Sequence, residues 1–256
     1  MTTKLLYDGS FEGLLTCIFV IFEEQISNFS IQKNLEATHE LFGTSETVYT
    51  DLKKADRVWT GFKKRSTKTQ QQKVLKVFLS EIKGLENTLA IYFVELFTKK
   101  RNIGNDYSNP TIVKISQVAK MVSREKHRME AFVRFQQTKD NQYIAYVEPD
   151  FNVLPLISSH FKDRYADQQW LIYDSKRMYG IYYDLNEVKL ITLDLPSKTE
   201  HKIKKNIASD TEFNYQRLWS TYFEKVNISS RKNTKLHTQH IPLRYWKYLT
   251  EKTTIL

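Results

Sequence analysis

The sequence predicts an α+β fold: a helix-rich first half, a mainly antiparallel sheet built from strands within 128–195 together with an N-terminal strand, and a helical C-terminal segment. Three observations predict it. Apolar residues recur in three- and four-residue steps from Gln70 to Phe97 and again from Ile112 to Val122, the period of helices with one buried stripe. At Arg128 the pattern changes to short runs of β-branched and aromatic residues separated by turn formers. Runs of helix followed by runs of strand, rather than strict alternation, segregate helices and sheet.

The elements follow in order. Lys4–Tyr7 is a short β-type run ending in Asp8-Gly9-Ser10, after which Leu14, Leu15, Ile18, Ile21 and Phe22 mark a helix. Ser10 fits its N-cap, and Glu12 complements the positive end of the helix dipole. Between Ser27 and Thr69 only scattered anchors such as Leu35, Leu41, Phe42, Val58, Trp59 and Phe62 remain, which predicts short helices joined by loops. Gln70–Phe97 is one helix or two in line, with Gly84 at the break, and Arg101–Pro110 is a loop. Phe132–Gln136 and Tyr143–Glu148 read as an antiparallel hairpin. The next helix buries Val153, Leu154, Ile157, Phe161 and Tyr165, carries Pro155 in its first turn, and has Asp150 or Asn152 as its cap. Trp170–Tyr173, Tyr179–Tyr183 and Leu190–Leu195 add strands, and a final helix over Phe213–Val226 sets Tyr215, Leu218, Trp219, Tyr222 and Phe223 on its apolar side. The expectation is one domain, 1–256, with a helix-rich part (10–122), a sheet-forming part (128–195) and a basic aromatic segment (196–256).

Composition narrows the function classes. With 15 Tyr, 15 Phe and four Trp, large rings should dominate the core. Cys17 is the single cysteine, which excludes an internal disulfide and any zinc site built on cysteine pairs. The longest apolar stretch, Leu14–Phe22, is roughly half of the ~20 residues a membrane-spanning helix requires. Lys4 is the lone cation of the first ten residues, and Asp8 and Gly9 precede the apolar run, an order unlike a secretion signal; a cytoplasmic protein without membrane contact is expected.

The formal net charge of +10, from 39 Lys and Arg against 29 Asp and Glu, favours polyanionic partners. The excess is concentrated. Lys53–Lys76 holds nine basic residues and one acid, and Lys198–Lys252 holds twelve basic residues and five acids. A solvated charged face is the ordinary alternative for each block. In the second block Arg231, Lys232, Lys235, Arg244 and Lys247 alternate with Trp219, Tyr222, Tyr245, Trp246 and Tyr248. Cations for phosphates and rings for unpaired bases are the combination used to bind single strands, whereas the same rings can equally fill a core rimmed by cations.

Other constellations are weaker. Glu125, His127, Arg128, Glu130 and Arg134 crowd into ten residues, where a histidine among carboxylates can carry protons or simply end a solvated helix. Glu148-Pro149-Asp150 sets two carboxylates at a strand-to-helix junction, suited to acid/base chemistry or to capping. His160 lies on the following helix. His237 and His240 share a turn, but no nearby ligands complete a metal site, and the phosphate-binding, dinucleotide and metalloprotease motifs are missing.

Tyr7-Asp8-Gly9-Ser10-Phe11-Glu12-Gly13-Leu14-Leu15, Glu125-Lys126-His127-Arg128 through Phe132-Val133-Arg134-Phe135, Glu148-Pro149-Asp150 through Leu156, His160-Phe161 with Arg164, and Trp170–Asp174 resemble a bacterial family assigned to DNA metabolism and DNA repair. Tyr215–Trp219, Tyr222-Phe223, Asn227-Ile228, Arg231, Asn233 and Pro242 with Arg244–Lys247 are similar to that family's closing motif. Thr234 stands where the family commonly has proline. The resemblance implies a gene neighbour of the radical-SAM type that acts in DNA modification or repair, and a domain that elsewhere occurs fused to a uracil-DNA glycosylase-like module. No such module is visible here.

Three readings follow. In the leading one the chain is a DNA-binding accessory without a cofactor: Arg128, Arg134, Arg231, Arg244 and Lys247 contact phosphates, Tyr245 or Trp246 stacks on a base, and substrate passes to a radical-SAM or glycosylase partner. In the second, His127, Glu148 and His160 converge beside Arg128 as the catalytic groups of a nucleobase- or nucleotide-processing enzyme. In the third, the chain is a protein-interaction subunit that makes no nucleic-acid contact.

Overall fold

A computed structural model describes residues 2–34, 44–99, 103–192, 210–226 and 238–253. The class is α+β. Two compact units divide the chain, residues 1–123 and residues 124–256.

In the first unit β1 (Thr3–Tyr7) leads through Asp8-Gly9-Ser10 into α1 (Phe11–Glu23), and the chain returns as β2 (Phe29–Lys33) and later β3 (Thr44–Thr47). Both pair parallel with β1, in the order β2-β1-β3. The N-terminal strand therefore centres a separate parallel sheet, not the sheet of 128–195. Phe29–Lys33 and Thr44–Thr47 escaped sequence reading because Ser, Gln, Lys, Thr and Glu dominate them, as edge strands tolerate, while central β1 sinks Leu5 and Tyr7 completely. Ser10 caps α1 as expected, its hydroxyl accepting from Gly13 N–H at 2.9 Å.

Helices α2 (Leu52–Arg65), α3 (Lys68–Leu79) and α4 (Leu85–Thr98) follow. Thr67 and Gln70 form a reciprocal capping box at the start of α3. The break before α4 falls at Gly84, whose φ of +82° is left-handed. A Cβ at this position would meet nothing within 4 Å, so the cost of Gly84→Ala is wholly backbone. It should lower stability by about 1–2 kcal/mol, read from the urea midpoint of the full chain.

Aromatic rings are among the bulkiest fully buried side chains, but they do not dominate the core as the ring count predicted: most of the buried hydrophobic residues are aliphatic. Phe62 is completely buried and lies 4.6 Å from Phe93, centroid to centroid, while Phe11 packs edge-on to Trp59 and Phe78. Cys17 is sealed nearby on α1 with no exposed surface. Burial above all, with Asp8 and Glu46 contributing, pushes its thiol up to about 12, so the reactive thiolate is suppressed. Iodoacetamide should leave Cys17 unmodified in the native chain and label it fully in urea, as read by intact mass.

α5 (Pro110–Phe132) is longer than the apolar repeat suggested, and the division between units falls within it. Its last turns take up Phe132, so the expected hairpin shrinks to β4 (Gln136–Gln137) against β5 (Tyr143–Val147). After α6 (Leu154–Arg164), β6 (Trp170–Asp174) pairs parallel with β5, and β7 (Tyr179–Tyr183) and β8 (Val188–Thr192) continue antiparallel. The sheet is thus mixed, in the order β4-β5-β6-β7-β8. Trp170, Ile172 and Ile181 of the sheet and Leu154, Ile157 and Phe161 of α6 are all buried, and Phe161 meets Trp170 at 6.1 Å between ring centroids. The chain goes on through α7 (Asp210–Val226), a 3-10 helix (Leu243–Tyr248) and a last helical turn, α8 (Thr250–Thr253). Among the described residues no helix is long and apolar enough to cross a membrane.

Candidate functional site

The candidate catalytic and phosphate-contacting residues named from the sequence lie in the second unit, and the structure sorts the described ones into three places. The first is a buried hub. Glu125, on α5, has a side chain only 1% exposed. One carboxylate oxygen accepts from the Tyr245 hydroxyl and from Asp150 N–H at 2.8 Å; the other lies 3.4 Å from Arg128 Nη1 and 3.6 Å from Arg244 Nη2. Burial first, then the Glu125 carboxylate, holds the Tyr245 phenol far above its usual range, so the hydroxyl donates. Four groups, one from the same helix and three from two distant stretches of the chain, thus surround one carboxylate.

Beside it lies the Glu148–Asp150 loop. Arg177 donates to the carbonyls of Pro149 (3.1 Å) and Asp150 (3.2 Å), fixing the loop from behind. Its carboxylates pair with the 3-10 helix, Glu148 with Lys247 Nζ at 2.6 Å and Asp150 with Arg244 Nη2 at 2.5 Å. These four residues, Lys176 and Trp246 line a cavity of about 480 Å³. Asp150 is therefore an ion-pair partner and not a cap. Asn152 does not cap α6 either, since Val153 holds that position without a side-chain bond and the Asn152 amide oxygen accepts from the Tyr179 hydroxyl.

The cations expected to meet phosphate are largely engaged by acids: Arg128 by Glu125, Arg134 by Glu251 at 2.9 Å, and Arg244 and Lys247 as above. Tyr245 is corrected from a stacking ring to a core residue. It is 2% exposed, with the Arg244 guanidinium 4.5 Å from its ring centroid. Trp246 is half-buried; its indole N–H donates to Ile241 O at 3.0 Å and the Lys252 ammonium lies 5.0 Å from its ring. Arg231, with Lys232, Lys235 and His237, lies outside the described residues.

The histidines make the second place. Nδ1 of His127 and Nδ1 of His160 lie 3.8 and 3.9 Å from the two oxygens of Glu130, beyond hydrogen-bond reach. The His127 side chain is 86% exposed, and Glu130 itself pairs with Lys126 at 2.5 Å. His127 and His160 thus flank one carboxylate, while Glu148 sits with Lys247 in the other cavity; the structure does not assemble the three as one set. Among the described residues no group of three or more His, Cys, Asp or Glu side chains is arranged to hold a metal ion.

The third place is a cleft of about 960 Å³ that pattern reading did not anticipate. One wall is Arg134, Phe135, Gln137, Tyr143, Arg164, Tyr165 and Gln168; the other is α7, presenting Glu212, Tyr215, Gln216, Leu218, Trp219 and Tyr222. The α7 stripe expected to be buried is open instead: Tyr215, Leu218, Trp219 and Tyr222 are 62, 65, 43 and 58% exposed. Glu212 anchors the helix by accepting from Gln137 N–H at 3.0 Å. Buried Glu251 accepts from Arg134 Nη2 and from Trp219 Nε1, each at 2.9 Å, which fixes the indole plane. Burial works to raise the Glu251 carboxyl, but the hydrogen bonds from Arg134 and Trp219 outweigh it and hold it below its ordinary value, so the acceptor is ionised. Among the described residues the buried Arg134 Nε–H has no hydrogen-bond partner, exposed Arg164 pairs with no carboxylate, and the Gln168 amide makes no hydrogen bond.

A family model described as a domain of unknown function, DUF4130, matches residues 83–251. No curated protein matches the chain.

Proposed function

We propose, from the premise that this chain belongs to the DUF4130 family, that its second unit binds unpaired nucleic acid as an accessory in DNA repair or DNA metabolism. Its co-worker in this reading is a radical-SAM or glycosylase-type enzyme, a partner drawn from the family resemblance alone. The observation that supports the reading is the cleft beside α7. Its exposed Trp219 and Tyr222 rings, 5.8 Å apart and tilted by 31°, offer the flat apolar surface on which any base can stack. Trp219 is held in place before a ligand arrives, so little ordering cost falls on binding. Arg164 supplies an unneutralised charge for a phosphate, and the Gln168 amide offers a donor and an acceptor to a base edge. Tyr245 and Trp246, the rings expected from the sequence to stack on a base, act in this reading as the support of the site, and the ion pairs of Arg244 and Lys247 hold the 3-10 helix to the Glu148–Asp150 loop.

The test is a titration of a labelled single-stranded oligonucleotide and of its duplex by fluorescence anisotropy over a range of salt. Single strands should bind more tightly than the duplex, log affinity should fall linearly with log salt, and binding should quench tryptophan emission. Absence of binding at low salt, or an affinity indifferent to salt, would sink the proposal.

A further inference from the structure

The first unit carries the other basic run, and its side chains are deployed differently. α2 starts on Asp51, whose carboxylate accepts from the N–H groups of Lys53 (2.8 Å) and Lys54 (3.1 Å), and it buries Ala55, Val58 and Phe62 along one side. At about 100° per residue, Lys53, Arg57 and Lys64 fall within about 40° of one another on the opposite side. All three are exposed, and none has a carboxylate partner among the described residues. Lys54, a quarter turn away, is by contrast paired to Glu23 at 2.7 Å. The Arg57 guanidinium lies 5.5 Å from the Phe19 ring centroid, a contact that steadies the group without consuming its N–H donors. Asp56, the one acid of the run, stands beside the row and pairs with none of the three. Lys63 and Lys68, at the junction with α3, are exposed as well and also lack a carboxylate partner among the described residues.

The two basic blocks read from the sequence are therefore unlike. The described cations of the second that were expected to meet phosphate, Arg244 and Lys247, hold acids; the three on α2 hold none. We infer that the Lys53–Arg57–Lys64 face of α2 is a sequence-independent contact for the sugar–phosphate backbone of nucleic acid. The row is about 16 Å long at 1.5 Å per residue, enough to follow several phosphates of one strand at about 3.4 Å of duplex axis each. Lys and Arg on a rigid helix that lack protein partners release counterions when they meet phosphate, and such contacts give affinity and position without reading bases. The choice of nucleic acid among polyanions rests on the function proposed above; the location of the contact does not, and α2 lies outside the residues matched by the family model.

The experiment compares the full-length chain with a variant carrying Lys53→Gln, Arg57→Gln and Lys64→Gln and with the charge-preserving pair Lys53→Arg, Lys64→Arg. The substituted side chains are solvated, so the thermal midpoint should stay near that of the parent, and the Arg pair guards against a folding defect. Binding of a mixed-sequence duplex and of a single strand is followed against salt. For the Gln variant the slope of log affinity on log salt should fall by nearly three units on duplex and about two on single strands, with at least a tenfold weakening (order of magnitude) at low salt; the Arg pair should keep the parent slope. An unchanged slope in the Gln variant overturns the inference, and if Trp219 and Tyr222 substitutions still weaken binding, the cleft survives it. A parent chain that sediments with anionic phospholipid vesicles through these residues but binds no nucleic acid overturns both.

Discussion

Alanine at Glu125 should remove about 3–5 kcal/mol of stability. The carboxylate is buried, and it is the common acceptor for the Tyr245 hydroxyl and Asp150 N–H and the nearby anion for Arg128 and Arg244. Deleting it strands a buried hydroxyl and a backbone N–H, takes from Arg128 its acidic neighbour and leaves Arg244 with Asp150 alone. Urea unfolding of the full-length chain measures the loss, and if the two units melt separately it should fall on one transition only. Tyr245→Phe should cost about 1–2 kcal/mol, since it removes a single donor to a buried side-chain acceptor. The two substitutions should be strongly non-additive, because the hydroxyl has no partner once Glu125 is gone. A loss under about 1 kcal/mol for Glu125→Ala would mean that the hub does not organise the loop and the 3-10 helix.

Replacing Trp219 and Tyr222 together with alanine should weaken single-strand binding by about 2–6 kcal/mol, at about 1–3 kcal/mol for each base that loses its ring, or roughly thirtyfold or more. The salt slope should not change, because no cation is removed. This separates the rings from the α2 face, whose loss lowers the slope. Both side chains are exposed, so unfolding should be little affected apart from the loss of the Trp219 bond to Glu251. Glu251→Gln offers a control for positioning: it keeps an acceptor for the indole but discharges the partner of Arg134, and should weaken binding less than loss of the ring. Unaltered affinity in the double variant would remove the cleft from the binding surface.

Much of the secondary structure was legible in local sequence. Ser10 caps α1, Gly84 divides two helices, and Trp170–Tyr173 and Tyr179–Tyr183 are strands, each because a local rule of capping, φ or alternation decides it. The candidate site was legible only in part. Glu125 stood in the cluster picked out around His127, yet the histidine is solvated and the neighbouring glutamate is the organised group. Arg134, Arg164, Trp219 and Tyr222 were all named, but the cleft joins them to Tyr143, Gln168 and Glu251, which no motif had grouped with them.

The sequence alone determined which residues share a helical or strand face, where turns break the elements, and that the positive charge gathers in two blocks. Whether a face is covered, and whether a charge is neutralised, only the tertiary structure decided. The same apolar step that buries Phe62 on α2 leaves Trp219 open on α7, because periodicity fixes direction around an axis and says nothing of what packs there. Likewise Arg244 meets Asp150 across 94 residues and Tyr245 meets Glu125 across 120, contacts set by the closing of the chain on itself and carried by no local pattern.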